Sequence, residues 1–229
     1  VSKLDLCAAA QEVRAVRDMA AARAFFDEHE VGAGNTACFT AVEGGFSVIN
    51  VRLSGDRVGV LTGSIPGAGH ASGREMLERF VAAQPWIGPA LFGGARAIPL
   101  RRPLDLLARG NVALLGDAAC QVFSAHGSGI GAGLLAARLL AVVLEKGLER
   151  LDYAVVWHRT YGGLFATFDA FRRFSQRLSE RDLERMMETG LLDEHGARAG
   201  REQRLPRPTP GVVVSALRGV VTERRLALG

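Results

Sequence analysis

The run from Gly116 to Ala141 constrains this chain more than any other segment. An apolar stretch, Val112–Leu115, predicts a strand that delivers Asp117 at its end. Gly127-Ser128-Gly129-Ile130-Gly131 follows, and then an almost wholly apolar helix from Gly129 to about Lys146. The first turn of such a helix leaves amide hydrogens without intrahelical acceptors, and that end of the helix is electropositive. A carboxylate beside it suits a ligand that carries both hydroxyls and an electron-rich edge or an anion. Between Gly129 and Leu144 the only charge is Arg138, so the helix is expected to be buried on nearly all sides.

With 229 residues, 48% of them hydrophobic, the chain can bury a sizeable core as one large domain or two small ones. The net charge of +4 comes from scattered arginines with few aromatics between them, which argues against a nucleic-acid partner. Cys7, Cys38 and Cys120 lie far apart and show no metal-ligand spacing, so the expectation is reduced thiols, no metal centre and a cytoplasmic location. No signal peptide opens the sequence. The longest apolar run, Leu134–Leu144, falls short of the roughly 20 residues that a transmembrane segment requires. The chain begins at Val1 without an initiator methionine, and Ser2–Gln11 reads as the middle of an element, so a fragment of a longer protein is expected.

Along the chain, the pattern predicts a strand over Cys7–Val13 and a helix over Met19–His29, stopped by Gly32-Ala33-Gly34-Asn35. The period then changes to alternation. Thr36–Val42, Phe46–Leu53 and Arg57–Ser64 read as an antiparallel meander with turns at Glu43-Gly44-Gly45 and Ser54-Gly55-Asp56. In its second strand Ile49, Val51 and Leu53 share one face and Val48, Asn50 and Arg52 the other, so the wetter side could be a substrate wall. A helix from Ser72 to about Gln84, an extended Pro85–Pro89 and a strand over Ala95–Leu100 complete this half. Beyond the glycine loop, Asp152–Leu178 predicts a long amphipathic helix with Gly162-Gly163 as a weak point, and Glu180–Thr189 a second, charged one. Gly196–Gly211 reads as a linker or extended arm before the apolar run Val212–Val221.

Taken alone, Asp117 is either a hydroxyl acceptor for a ligand or a cap for the following turn, and the glycine loop could serve only close packing of helix on sheet. Strand end, carboxylate and glycine-opened helix together favour a ligand site. Ser124, His126 and Asp117 invite a hydrolase reading, but His126-Gly127-Ser128-Gly129 is not G-x-S-x-G and no second histidine completes a relay. His70, His158 and His195 sit in unrelated segments and read as structural. Cys120 is a small buried hydrophobe or a redox-active thiol, and Arg101-Arg102 is a solvated pair or an anion contact.

These residues resemble the second flavin-binding motif of the flavoprotein superfamily that contains aromatic hydroxylases, geranylgeranyl reductases and flavin-dependent halogenases. That pattern is a strand, G-D-A-A, commonly a proline, then G-x-G-(I/L) opening an apolar helix that ends near L-A. The chain supplies Gly116-Asp117-Ala118-Ala119, then Gly127-Ser128-Gly129-Ile130, then Leu139-Leu140-Ala141. Gly93–Leu100 looks like the segment returning from that superfamily's substrate domain, so the resemblance covers roughly residues 4–150. It implies FAD as cofactor, with Asp117 accepting hydrogen bonds from the ribityl chain and the amides of Gly129 and Ile130 facing the flavin N1/C2=O edge. The cofactor-binding set is then Gly116, Asp117, Gly127, Ser128, Gly129 and Ile130; no catalytic residue is named.

The departures carry information. Ser124 stands where proline is usual, and Cys120 where hydroxylases often have histidine, which favours the reductase side. The reductases' aromatic strand is only echoed, by Gly45-Phe46-Ser47-Val48 without a tryptophan. No early strand leads into G-x-G-x-x-G, the element that holds the ADP half of FAD. Gly127–Ala132 does fit G-x-G-x-x-A, but the span from Leu115 is too long for the tight first turn of a dinucleotide fold. The missing N-terminal half is expected to be encoded upstream.

The resemblance therefore implies a mixed α/β fold. An antiparallel substrate-domain sheet occupies 1–105, the C-terminal half of an FAD/NAD(P)-binding domain 106–150, and a helical region 151–229. The function implied is a flavin-dependent oxidoreductase that uses NAD(P)H to reduce a small or isoprenoid-like organic molecule. A monooxygenase is the alternative, and a truncated, non-catalytic binding fragment is the alternative from another class.

Overall fold

Alternating apolar and polar residues from Thr36 to Ser64 build three antiparallel strands, β2 (Thr36–Thr40), β3 (Ser47–Ser54) and β4 (Arg57–Ser64). In the computed structural model, which describes residues 1–178, 180–188 and 194–205, this meander is part of a larger sheet. β1 (Leu6–Val16) pairs antiparallel with β4 on one side and with β5 (Ile87–Pro99) on the other, giving the order β2-β3-β4-β1-β5. β2 stops at Thr40 instead of Val42 because Ala41 turns into the left-handed region at φ 57. β5 begins at Ile87, so the predicted extended stop runs straight into the strand, and Pro99 ends it at the sheet's edge, where a missing N–H is tolerated.

Two helices cover one face of this sheet. α1 (Met19–Glu28) is capped by Asp18, whose carboxylate accepts from Ala20 N at 2.9 Å and Ala21 N at 3.0 Å. α2 (Gly73–Ala82) opens on a reciprocal box between Ser72 and Glu75. Phe25, Phe26, Met76 and Leu77 from these helices pack on Ala10, Ile49, Val51, Val58 and Val60 of the strands. Each buried side chain of this size contributes about 1.5–3 kcal/mol. The register confirms the predicted alternation: Ile49 and Val51 are buried here, and Val48, Asn50 and Arg52 lie on the opposite face beside Gly63, Leu61 and Gly59.

The chain divides into two compact units, Val1–Pro99 and Leu100–Gly229, and the second holds both the 106–150 and the 151–205 segments. Among its described residues, the two-residue pair β6 (Ala108–Arg109) and β7 (Val112–Ala113) forms the ladder. The strand predicted over Val112–Leu115 is thus shorter than its apolar run, because Gly116 bends the chain at φ 57. A 3₁₀ turn over Gly116–Ala119 leads through the glycine loop to α3 (Ile130–Glu145), flanked by Gly129 and Lys146 as predicted. α4 (Arg150–Trp157), a π turn over His158–Gly162 and α5 (Gly163–Ser175) follow one another without leaving helical dihedrals. The predicted long helix therefore forms, starting two residues early and ending at Ser175, with a π irregularity that ends at the predicted glycine pair. α6 (Glu180–Glu188) matches its prediction up to Thr189, which lies outside the described residues. α7 (Glu194–Arg201) corrects the start of the predicted linker, whose remainder and the Val212–Val221 run lie outside the described residues from 206 on.

The second unit's core joins Phe123, Ala132, Ala136, Tyr153, Trp157 and Phe165. It also buries an ion pair: Arg172, with a fully buried side chain, donates to Asp169 Oδ1 at 2.8 Å. Burial alone would raise the Asp169 carboxyl, but the Arg172 side chain, the Arg102 backbone N–H and the charge of Arg173 outweigh it and hold the group below the ordinary carboxylate range.

The expectation that α3 is buried on nearly all sides fails. Only Ala132, Ala136 and Val143 of the helix are buried, while Ile130 is 82% exposed, Leu134 68% and Leu135 46%. A helix this apolar has a burying face and a second face with nothing on it among the described residues.

Candidate functional site

Asp117 sits in the 3₁₀ turn after β7, with its side chain in solvent. Two left-handed residues bracket that turn, Gly116 at φ 57 and Cys120 at φ 55. The first needs a glycine, and it reverses the chain so that the carboxylate meets the start of α3. A methyl group at Gly129 would lie 3.4 Å from Asp117 Oδ1 and 3.3 Å from Val122 Cγ2, so glycine keeps this approach open. The loop between them is closed on itself: Phe123 N donates to Ser128 O at 2.9 Å, and Gly127 N to Phe123 O at 2.9 Å. The structure thus brings Gly116 and Asp117 beside the first turn of α3 at Gly129 and Ile130, while Gly127 and Ser128 lie in the loop that leads into it.

The electrostatics follow from the helix. Gly129 provides no side-chain cap, and the first bond of α3 runs from Gly133 N to Gly129 O at 2.8 Å. The amides of Ile130, Gly131 and Ala132 therefore have no intrahelical acceptor. Ile130 and Gly131 are exposed, so these donors are open to a ligand. The Asp117 carboxylate makes no hydrogen bond or ion pair with any described side chain, and it lies beside the electropositive end of α3. The arrangement offers acceptor oxygens for hydroxyl groups on one side and bare N–H donors for an electron-rich edge on the other. That donor set fits the ribityl and pyrimidine parts of a flavin.

Other predicted candidates separate. Ser124 Oγ is buried and has no hydrogen-bond partner among the described residues, so it makes no bond to His126. Arg102 binds Asp105, and Arg101 Nε donates to Arg102 O at 3.1 Å. His158 Nε2 contacts Leu104 O at 3.1 Å, a structural bond. Burial pushes the Cys7 thiol up to about 11, so it is inert at neutral pH. No cluster of three or more His, Cys, Asp or Glu residues among the described ones could hold a metal. No helix among them is long and apolar enough to cross a membrane.

The first unit carries a separate feature. The sheet face opposite the helices holds an open trough of about 560 Å³ over β1 and β5, lined by Ala9, Val13, Leu61, Phe92 and Ile98, with Gln11 and Arg96 as its polar members. Gly94 has nothing within 4 Å of where a Cβ would sit, so the floor is flat there.

Two residues of the second site escape sequence reasoning. Gln121, fully buried, accepts from Gly116 N at 2.9 Å and donates from Nε2 to Tyr153 Oη at 2.6 Å. Tyr153 Oη in turn donates to Leu114 O at 3.1 Å. Burial pushes the Tyr153 phenol up, with the Gln121 bond opposing, so the hydroxyl stays protonated and able to donate. The signal present in the sequence is a lone amide side chain between Cys120 and Val122, an uncharged polar group set in an apolar run.

No protein-family profile matches the chain. Over 150 residues, 61% of the chain, it is 27% identical to a digeranylgeranylglycerophospholipid reductase of Sulfolobus acidocaldarius, covering 33% of that protein. In fold it resembles a geranylgeranyl bacteriochlorophyll reductase-like protein of Thermoplasma acidophilum, with a TM-score of 0.66 at 14% identity over 99% of the chain and 54% of the other. It also resembles Klebsiella pneumoniae HpxO, solved with FAD and uric acid, with a TM-score of 0.52 at 18% identity over 91% of the chain and 53% of HpxO. The chain therefore shares the fold of these solved proteins, one named as reductase-like and one solved with FAD. It spans about a third of the curated relative and about half of the solved ones.

Proposed function

We propose that this chain is the substrate domain (1–105), the C-terminal part of the FAD-binding domain (106–150) and a helical region (151–229) of a flavin-dependent reductase. The observation that carries the reading is the unpaired Asp117 carboxylate lying against Gly129, where α3 presents free amides. Asp117 would accept hydrogen bonds from the ribityl hydroxyls, and the amides of Gly129 and Ile130 would face the N1/C2=O edge. Gly116, Gly127 and Ser128 would shape the loop around it. The chemistry supplied at that position when FAD is bound is two-electron transfer from NAD(P)H to an organic substrate. The N-terminal end of α3 stabilises negative charge beside it, which raises the tendency to accept electrons.

The apolar trough of the first unit supports an isoprenoid-like substrate, with Arg96 available to an anionic end. The similarity to a named reductase favours reduction over hydroxylation. The exposed apolar face of α3 supports a further segment of the same cytoplasmic protein, one that carries the ADP half of the cofactor site and covers Leu134 and Leu135.

The test is to express the complete open reading frame that encodes the chain and record its visible spectrum with and without NADPH. A band near 450 nm that bleaches anaerobically with NADPH is the expected result. A colourless protein that takes up no added FAD overturns the reading. Consumption of one O2 per NADPH with one oxygen atom in a hydroxylated product and the other in water, and peroxide only from turnovers that fail to couple, selects the monooxygenase alternative.

A further inference from the structure

The buried polar relay behind the Asp117 turn has a shape that packing alone does not require. Its members are Gly116 N–H, the Gln121 side-chain amide, Tyr153 Oη and the Leu114 carbonyl, bonded in that order at 2.9, 2.6 and 3.1 Å. The Gln121 backbone closes the same loop, its N–H donating to Gly116 O at 2.9 Å. Gly116 is thus held by both of its polar groups to one residue, while the carbonyl before the turn, on Leu114, is held by α4 through Tyr153. Gln121 and Tyr153 are both fully buried, so no water stands in for either bond if one partner is removed.

The amide orientation follows from the chemistry. Gly116 N–H can only donate, so the Gln121 oxygen must face it, and the Gln121 nitrogen must then donate to Tyr153. Each member has one role available to it, and the chain of donors ends on the Leu114 carbonyl, two residues before Gly116.

The geometry points to Gln121 and Tyr153 as positioning residues for the ligand site: their relay holds Gly116 in its left-handed conformation and so keeps the Asp117 carboxylate beside the amides at the start of α3. The inference rests on the flavin reading and adds to it the device that preorganises the site. Neither side chain touches the ligand. A site held rigid before binding gives up less conformational freedom on binding, so loss of the relay appears as weakened affinity.

The experiment uses the complete protein in apo form, titrated with FAD by fluorescence quenching, alongside amide hydrogen exchange. Three variants are compared: Tyr153→Phe, which removes only the hydroxyl; Gln121→Leu, which removes the amide; and Val143→Ala, which destabilises the same core away from the relay. The expected result is an FAD Kd at least tenfold higher for Tyr153→Phe and Gln121→Leu, with faster exchange at Gly116 and unchanged exchange along α3. Val143→Ala should lower Tm comparably with Kd within about twofold of wild type. Should Gln121→Leu fail to fold, Tyr153→Phe decides alone.

Wild-type affinity in Tyr153→Phe overturns the proposal and leaves the flavin reading intact. An equal loss of affinity in Val143→Ala also overturns it, because general destabilisation then suffices. A wild-type protein that binds no FAD overturns the flavin reading itself, and the proposal with it, and is recognised by the absence of any titration signal before a variant is compared.

Discussion

The two units solve the burial problem in opposite ways. In the first, the sheet's apolar face is covered by α1 and α2 from the same unit, with Val51, Val58 and Val60 wholly removed from solvent. In the second, α3 is more apolar than any strand of that sheet, yet Leu134 and Leu135 remain largely exposed. The first unit's sequence states its own partners, since alternating strands and amphipathic helices of matching length lie close together along the chain. The second unit's helix states only that it needs a covering, and the residues described here supply one on a single side. An apolar helix thus reports how many faces it must bury in the complete assembly, whereas an alternating strand reports a face that its neighbours already cover.

The largest expected effect tests a further contrast, a core held by apolar contact against one that also buries an ion pair. Asp169→Ala leaves the buried Arg172 charge without its Asp169 carboxylate and should cost about 3–5 kcal/mol at neutral pH. Because the Asp169 carboxyl is held below its ordinary value, its contribution is complete above the unfolded pKa of roughly 3.9 and is lost as the pH falls through the lower folded value. The two tryptophans, Trp86 and Trp157, are buried one in each unit and report each separately. With Trp86→Phe and Trp157→Phe backgrounds, acid should release Trp157 fluorescence first; simultaneous release would erase the contrast.

The next test concerns coverage. Leu77→Ala in α2 should cost about 2–5 kcal/mol in denaturant melts, whether made in this chain or in the complete protein. Leu134→Ala should change the stability of this chain by less than about 0.5 kcal/mol, and that of the complete protein by about 2–4 kcal/mol. Equal costs in both settings would mean that nothing covers α3.

Asp117→Ala, at an exposed side chain, should leave the melting curve within about 0.5 kcal/mol of wild type while FAD affinity in the complete protein falls about ten- to a hundredfold. A purified variant with undiminished 450 nm absorbance would remove Asp117 from the site. Gly129→Ala should have a smaller effect, a few-fold loss of affinity, because its methyl group meets Asp117 Oδ1 and Val122 at tight but not prohibitive distances. The smallest effect is chemical: at pH 8 a disulfide reagent should modify exposed Cys38 well before Cys7, whose thiol is raised to about 11 by burial.

Much of this was legible from local sequence. The helix start at Ser72, the Gly55 hairpin and the Gly162-Gly163 weak point depend on contacts within a few residues, and each appears where the pattern places it. The Asp117–Gly129 juxtaposition was legible for the same reason, since both belong to one loop whose glycines leave few routes. The placement of β1 between β4 and β5 was not, because its antiparallel partners lie far along the chain and its alanine-rich pattern suits either neighbour. Nor was the extent of β5, whose glycines and proline argue against a long strand while the ladder with β1 imposes one.

By itself, then, the sequence determined the strand end, carboxylate, glycine loop and helix, because spacing and residue type act over short stretches of chain. Tertiary structure alone decided which face of α3 stays open and that Gln121 and Tyr153 support the Asp117 turn across 32 residues of sequence. Periodicity records how apolar a face is, but whether a neighbour covers it, and which distant hydroxyl a buried amide finds, depends on contacts that only the folded chain brings together.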